Sequence, residues 1–134
     1  MRAFILAGSF SLLVIVAFGL SALAADTPPS DAVIQHRIVG TWIMNWMILQ
    51  RTTTIATNGD FMSYDVSNSV HPQTNWYEGT IVIKDGLMIQ RSSITTNHPV
   101  PYVVTNVIIQ LTDHELIFHS QDRSQPIMWE RVKQ

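Results

Sequence analysis

Residues 76–95 read WYEGTIVIKDGLMIQRSSIT, and their pattern indicates the fold class. A β-branched, apolar segment over residues 76–84 is followed by Asp85-Gly86, a pair that is typical of tight hairpin turns. A second segment of the same kind follows over residues 87–95. The pattern therefore predicts two antiparallel strands joined by a short turn, and it leaves no room for a helix.

The same alternation of strand and turn extends in both directions along the chain. Asn58-Gly59-Asp60 and Thr112-Asp113 are further turn signals. The sequence predicts eight successive strands, over residues 41–50, 51–57, 61–66, 76–84, 87–95, 103–111, 116–120 and 127–132. Successive antiparallel strands close most economically as an up-and-down β-barrel, because closure leaves no exposed edge. A β-sandwich is the alternative.

Upstream of the strands, the N-terminus has the three parts of a secretory signal peptide. Arg2 is the only charged residue before Asp26, residues 3–20 are apolar or small, and Ala22-Leu23-Ala24 ends the segment. We predict that residues 1–24 are removed by cleavage after Ala24, which gives a periplasmic or secreted chain with no stable membrane insertion. A retained membrane anchor is the alternative, since the apolar segment is long enough to span a bilayer.

Residues 25–39 are predicted to form a tether and one short helix. Ser30 is a suitable N-cap, and Gly40 ends the helical pattern. Residues 40–134 then form a single all-β domain, a small antiparallel barrel. The chain contains no cysteine, so neither a disulfide nor a lipid-modified cysteine is available, and the fold depends on its hydrophobic core.

Charge and residue patterns exclude several classes of function. Without Arg2, the mature chain has 7 basic and 10 acidic residues, a balance that argues against a nucleic-acid partner. No serine lies in a nucleophile motif, so we expect no catalytic residues and no enzyme activity. Five scattered histidines form no chelating pattern, so we expect no metal site and no cofactor: His36, His71, His98, His114 and His119.

Tryptophans are the candidate ligand-binding residues. Trp46, Trp76 and Trp129 lie on three different predicted strands and could line an adaptable apolar cavity. The alternative is core packing, because the interior of an eight-stranded barrel of about 110 residues can be nearly filled by its own side chains.

Three short motifs resemble those of a known family. Gly40-Thr41-Trp42 opens the first strand after a short helix, Thr112-Asp113 separates the sixth and seventh strands, and Arg131 lies on the last strand. In this order they resemble the short bacterial lipocalin-like (calycin-type) β-barrel proteins, although His114 stands where a tyrosine is usual. The resemblance implies that Gly40, Trp42 and Arg131 close one barrel end, with the guanidinium of Arg131 stacked on the indole of Trp42.

The resemblance also implies a function, the binding of a small apolar ligand inside the barrel. The alternative is a protein-binding inhibitor or immunity-type module without a ligand cavity. The predicted loops over residues 67–74 and 97–101 are candidates for the surface that such a module would present to its partner.

Overall fold

A computed structural model describes residues 27–133 and contains one short helix followed by eight strands. These elements are α1 (Asp31–Arg37), β1 (Gly40–Trp46), β2 (Leu49–Ile55), β3 (Asp60–Ser67), β4 (Thr74–Lys84), β5 (Leu87–Thr95), β6 (Tyr102–Leu111), β7 (Glu115–Ser120) and β8 (Ile127–Arg131). The strands pair antiparallel in chain order, and β8 pairs back onto β1. The predicted eight-stranded barrel is confirmed. The predicted signal peptide lies outside the described residues, none of whose helices is long and apolar enough to cross a membrane.

Helix α1 covers one end of the barrel, which we call the closed end. The side chain of Ser30 accepts a hydrogen bond from the backbone of Val33 and so caps the helix. Ile34 and Ile38 are buried beneath the helix. Gln35 hydrogen-bonds the backbone of β4, donating to the carbonyl of Ile81 and accepting from the amide of Ile83. These contacts fix the helix over the barrel and exclude water from that end.

The hydrophobic core is concentrated at the closed end. Its buried members from the strands include Trp42, Ile55, Phe61, Ile81, Ile83, Met88 and Leu116. Polar side chains replace them halfway along the barrel, where the hydroxyls of Thr53 and Ser63 form a buried pair 2.8 Å apart. The barrel is therefore filled by its own side chains in one half only.

The first hairpin turn differs from the sequence prediction. The first strand was expected to run to Gln50, but β1 ends at Trp46, and Met47 and Ile48 form the turn to β2. Met47 adopts a φ of 53°, a left-handed conformation that side-chain-bearing residues rarely take. Because neither residue is a usual turn former, the sequence carries no signal for this turn.

Strand β6 turns its polar residue inward. The alternation over residues 103–111 predicts one apolar face, yet Val103 and Ile109 are exposed while Asn106 is buried inside the barrel. A β-bulge between Ile108 and Gln110 changes the phase, so Leu111 packs against the core again. The interior of the barrel therefore contains a polar side chain at this level. The alternation of apolar residues along the sequence does not predict it.

Pairing between β1 and β8 covers only part of their length. Trp42 pairs with Arg131 and Ile43 with Glu130, and beyond this point the two strands diverge toward the other end of the barrel, the open end. The gap between them forms a cleft of about 400 Å³ lined by residues such as Trp46 and Met128. The barrel wall is thus incomplete beside the open end.

Candidate ligand-binding cavity

The three residues proposed to close the barrel lie together beside α1. The Cζ atom of Arg131 lies 4.1 Å from the centre of the Trp42 ring. The guanidinium also donates hydrogen bonds to three backbone carbonyls, those of Val39 at 2.6 Å, Asp113 at 2.8 Å and Arg37. One side chain on β8 therefore connects the helix, the start of β1 and the β6–β7 turn.

Gly40 and the Thr112-Asp113 turn complete this closed end. Gly40 adopts a φ of 132°, and a Cβ atom at this position would lie 2.6 Å from Nη1 of Arg131. The positive φ disfavours any side chain at this position. The guanidinium also excludes one, because its carbonyl partners hold it in place. The Oγ1 atom of Thr112 accepts hydrogen bonds from the amides of His114 and Glu115, which shapes the turn that presents the Asp113 carbonyl.

A cavity of about 510 Å³ occupies the other half of the barrel and opens at its end. Its apolar walls include Met44, Leu49, Phe118 and Trp129, and the rings of Phe118 and Trp129 meet edge to face at 5.0 Å. Its polar lining includes Arg51, Tyr77, Gln90, Asn106 and Tyr102. The cavity therefore presents an apolar wall and a polar wall to anything that enters it.

Arg51 and Asp65 form an ion pair at this polar wall. They are direct cross-strand partners on β2 and β3, and both side chains face the interior. The Nε atom of Arg51 lies 2.5 Å from Oδ1 of Asp65, and Nη2 lies 2.7 Å from Oδ2. Asp65 is only 3% exposed, and Arg51 lies over the ring of Tyr77 at 5.0 Å. Burial alone would lower the pKa of Arg51, but the hydrogen bond and charge of Asp65 raise it, so the guanidinium stays charged.

The surroundings of Tyr77 shift the pKa of its hydroxyl. Burial raises the pKa of its hydroxyl above the ordinary value of 10.0, while the hydrogen bond donated by Asn97 at 3.0 Å acts in the opposite direction. The neutral phenol is therefore favoured in the fold. Its contribution to stability is fully present below a pH of about 10 and is lost as the pH rises through the raised pKa.

We expect the free energy of unfolding to fall more steeply above about pH 10 in the natural protein than in Tyr77→Phe, which cannot ionise. Urea unfolding at several alkaline pH values measures the slope. Tyr64→Phe, which removes a partly exposed phenol from the outer wall, is the matched control and should keep the steep slope. Equal slopes for Tyr77→Phe and the natural protein would contradict this account.

Two buried polar atoms in this half of the barrel lack a protein partner, and a buried polar residue lies beside them. Asn106 is only 3% exposed and lines the cavity. The indole Nε1 of Trp129, which also lines the cavity, has no acceptor among the described residues, and the buried hydroxyl of Ser92 has no partner there either. Buried polar groups are usually paired, so unpaired ones beside a cavity indicate a site for a ligand or water.

The tryptophans proposed as ligand-binding residues occupy different places. Trp46 and Trp129 both line the cavity, Trp46 at its rim and Trp129 inside. Trp76 lies outside it, stacked on Tyr64 of the neighbouring strand with ring centres 6.2 Å apart, and its Nε1 donates to Glu78. Strand alternation explains the difference, because Trp76 precedes the inward-facing Tyr77.

Sequence reasoning missed the polar residues of the cavity. Taken singly, Arg51 and Asp65 are not predicted to face the interior, because charged residues on strands usually face solvent. A signal was nevertheless present: Arg51 falls in the inward phase of β2 with Thr53 and Ile55. Asp65 shares its phase with Phe61 on the next strand. Opposite charges at facing inward positions predict a buried pair.

No group of three or more histidine, aspartate or glutamate residues converges as a metal site within residues 27–133. His98 instead stacks on Tyr102 at the open end, with ring centres 4.2 Å apart. This stack forms part of the cavity wall.

Comparison with known proteins identifies no family for this chain. No family model matches the chain, and no curated protein matches it significantly. Among solved structures, the chain is similar to an NMR structure of a protein from Bacteroides thetaiotaomicron, with 14% sequence identity and a TM-score of 0.46 over 74% of this chain and 92% of that one. The closed eight-stranded barrel is compatible with a calycin-like fold.

Proposed function

We propose that the protein binds a small molecule in the open half of its barrel. The observation that supports this most strongly is the cavity of about 510 Å³ that contains the buried indole Nε1 of Trp129, which has no acceptor among the described residues. Ligand sites in proteins are usually concave, about 300–1,000 Å³ in volume and mostly apolar, with a few polar groups that orient the ligand. The volume of this cavity lies in that range, and its lining combines apolar and aromatic side chains with polar ones.

The lining indicates the general chemistry of the ligand. Met44, Phe118 and Trp129 offer an apolar and aromatic surface, while Arg51 and Asn106, each on a strand that pairs with one of theirs, offer hydrogen bonds. A wholly apolar ligand would leave these polar groups unpaired, at a cost of about 1–3 kcal/mol for each. The expected apolar ligand therefore needs one polar group in addition to its apolar body.

Filling the cavity tests this proposal. Val104 lies on β6 and lines the cavity, so Val104→Trp should occupy the space and weaken binding of the neutral dye Nile red at least about tenfold. Ile109→Trp adds the same side chain to the outer face of the same strand and is the matched control. Dye fluorescence gives the affinity. Equal affinity in both variants, or no binding by the natural protein, would overturn the proposal.

We further propose that the chain is exported and acts in the periplasm or outside the cell. The sequence over residues 1–24 supports this. Expressed in a Gram-negative host, the protein should appear in the periplasmic fraction with Ala25 as its first residue, as intact-mass measurement and N-terminal sequencing would show. Ala24→Asp should block cleavage, because the peptidase accepts small side chains at this position. A full-length product from the natural sequence would contradict cleavage.

A protein partner is the second candidate function, favoured by one observation at the open end. The β1–β2 turn exposes consecutive apolar side chains, with Trp46 50%, Met47 94% and Ile48 59% exposed. Exposed apolar clusters of this kind are common at interfaces between proteins. A photo-crosslinking residue at Met47 should then join a specific protein in the native host, whereas the same group at the outward-facing Val82 on β4 should not. Equal labelling from both positions would remove this candidate.

A further inference from the structure

The Arg51–Asp65 pair leaves some hydrogen-bond donors of the guanidinium unused beside the cavity. Asp65 occupies only two of the five N–H donors of the guanidinium, those on Nε and Nη2. No described residue accepts a hydrogen bond from the remaining three donors. Arg51 lines the cavity, so unused donors stand at its polar wall.

The Arg51–Asp65 pair carries no net charge, whereas an arginine alone would be positive. Asp65 is almost fully buried behind Arg51 and neutralises it, so the pair offers hydrogen-bond donors without a net positive charge. The other ionised groups at the cavity, Asp122 and Arg123, stand at the rim, where they are exposed and of opposite sign. A ligand at Arg51 therefore meets no uncompensated positive charge.

A second polar residue lines the same cavity. Asn106 on β6 is only 3% exposed and belongs to the cavity lining. It can donate to an oxygen acceptor or accept from a hydroxyl. A carbonyl or hydroxyl oxygen thus finds donors on two strands.

We infer that the cavity selects neutral ligands that carry a hydrogen-bond acceptor, such as an ester, amide or alcohol group, and that Asp65 excludes carboxylates. This inference rests on the proposed function. A carboxylate beside Arg51 would have to leave water and approach the carboxylate of Asp65, and both effects disfavour its charged form. A neutral acceptor bonds the free donors without either penalty.

Methyl decanoate and decanoate are suitable probes, because they share a chain and a carbonyl and differ in charge at about pH 8. Isothermal titration calorimetry should show the ester binding the natural protein at least about tenfold more tightly than decanoate. Asp65→Asn removes the charge yet keeps an acceptor for Arg51, so decanoate should bind this variant at least about tenfold more tightly than it binds the natural protein. Asp85→Asn, the same change at an exposed turn outside the cavity lining, should leave the ratio of the two affinities unaltered.

A measurement on the natural protein keeps the inference testable if Asp65→Asn fails to fold. The infrared carbonyl stretch of methyl decanoate, labelled with carbon-13 at the carbonyl, should lie at lower wavenumber in the complex than in hexane, because the bound oxygen accepts hydrogen bonds. An unshifted stretch would overturn the inference, as would tighter binding of decanoate by the natural protein or an unchanged ratio in Asp65→Asn. These results would leave the proposed function intact. If methyl decanoate, decanoate and Nile red all failed to bind, the proposed function and this inference would both be overturned.

Discussion

Arg131→Ala should lower the free energy of unfolding by about 3 kcal/mol, since it removes a stacking partner and three hydrogen bonds at once. The guanidinium lies 4.1 Å from the Trp42 ring centre, and the carbonyls of Val39, Arg37 and Asp113 all accept from it. Alanine can replace none of these interactions, and partly buried carbonyls would lose their donors. Urea unfolding followed by circular dichroism gives the change.

Two further variants separate this role from a general effect of charge. Arg131→Lys keeps the positive charge but lacks the planar fork, so it should recover only part of the lost stability. Arg123→Ala removes an exposed arginine at the open end and should change stability by less than about 0.5 kcal/mol. If Arg131→Ala unfolded at the same urea concentration as the natural protein, Arg131 would have no part in closing the barrel.

Arg51→Met should have the larger effect, a loss of about 3–5 kcal/mol in the free energy of unfolding. Asp65 is 3% exposed, and Arg51 is its partner in the ion pair. Without the guanidinium, a carboxylate would stay buried with no compensating charge, which is the costliest outcome of breaking a buried pair. Thermal and urea unfolding at neutral pH measure the loss.

The double variant Arg51→Met, Asp65→Leu provides the control for this prediction. Replacing both charges with apolar side chains of similar size removes the uncompensated carboxylate, so most of the lost stability should return. A double variant as unstable as Arg51→Met would show that the packing of the arginine, and not the charge of Asp65, accounts for the loss. A stable Arg51→Met would contradict the account of the pair altogether.

Local chemistry made the barrel predictable from sequence. Asp85-Gly86 and Asn58-Gly59 mark tight turns between β-branched segments, and turns of this kind allow only antiparallel neighbours. The turn at Met47 and Ile48 escaped prediction because the register of the paired strands imposes it, with Met47 held at positive φ. Closure of β8 onto β1 was also predictable, since it removes the last free edges of the sheet.

The cavity was harder to predict from the sequence than the barrel. Its depth depends on where the apolar core stops, and that level is set by polar residues such as Thr53 and Asn106 on strands that are distant in sequence. A β-bulge in β6 alters which residues face inward, and no composition signal marks it. Trp46 and Trp129 were identifiable as large aromatic residues on strands, but the polar lining of the cavity depends on the three-dimensional register of the strands.

Native mass spectrometry of the protein, isolated from its own source without denaturation, shows whether the barrel holds a ligand. We predict a second mass peak above that of the protein alone, from a neutral small molecule that dissociates on activation and is absent from Val104→Trp. The contradicting result is a single peak at the mass of the protein alone, together with no binding of Nile red or methyl decanoate by that material.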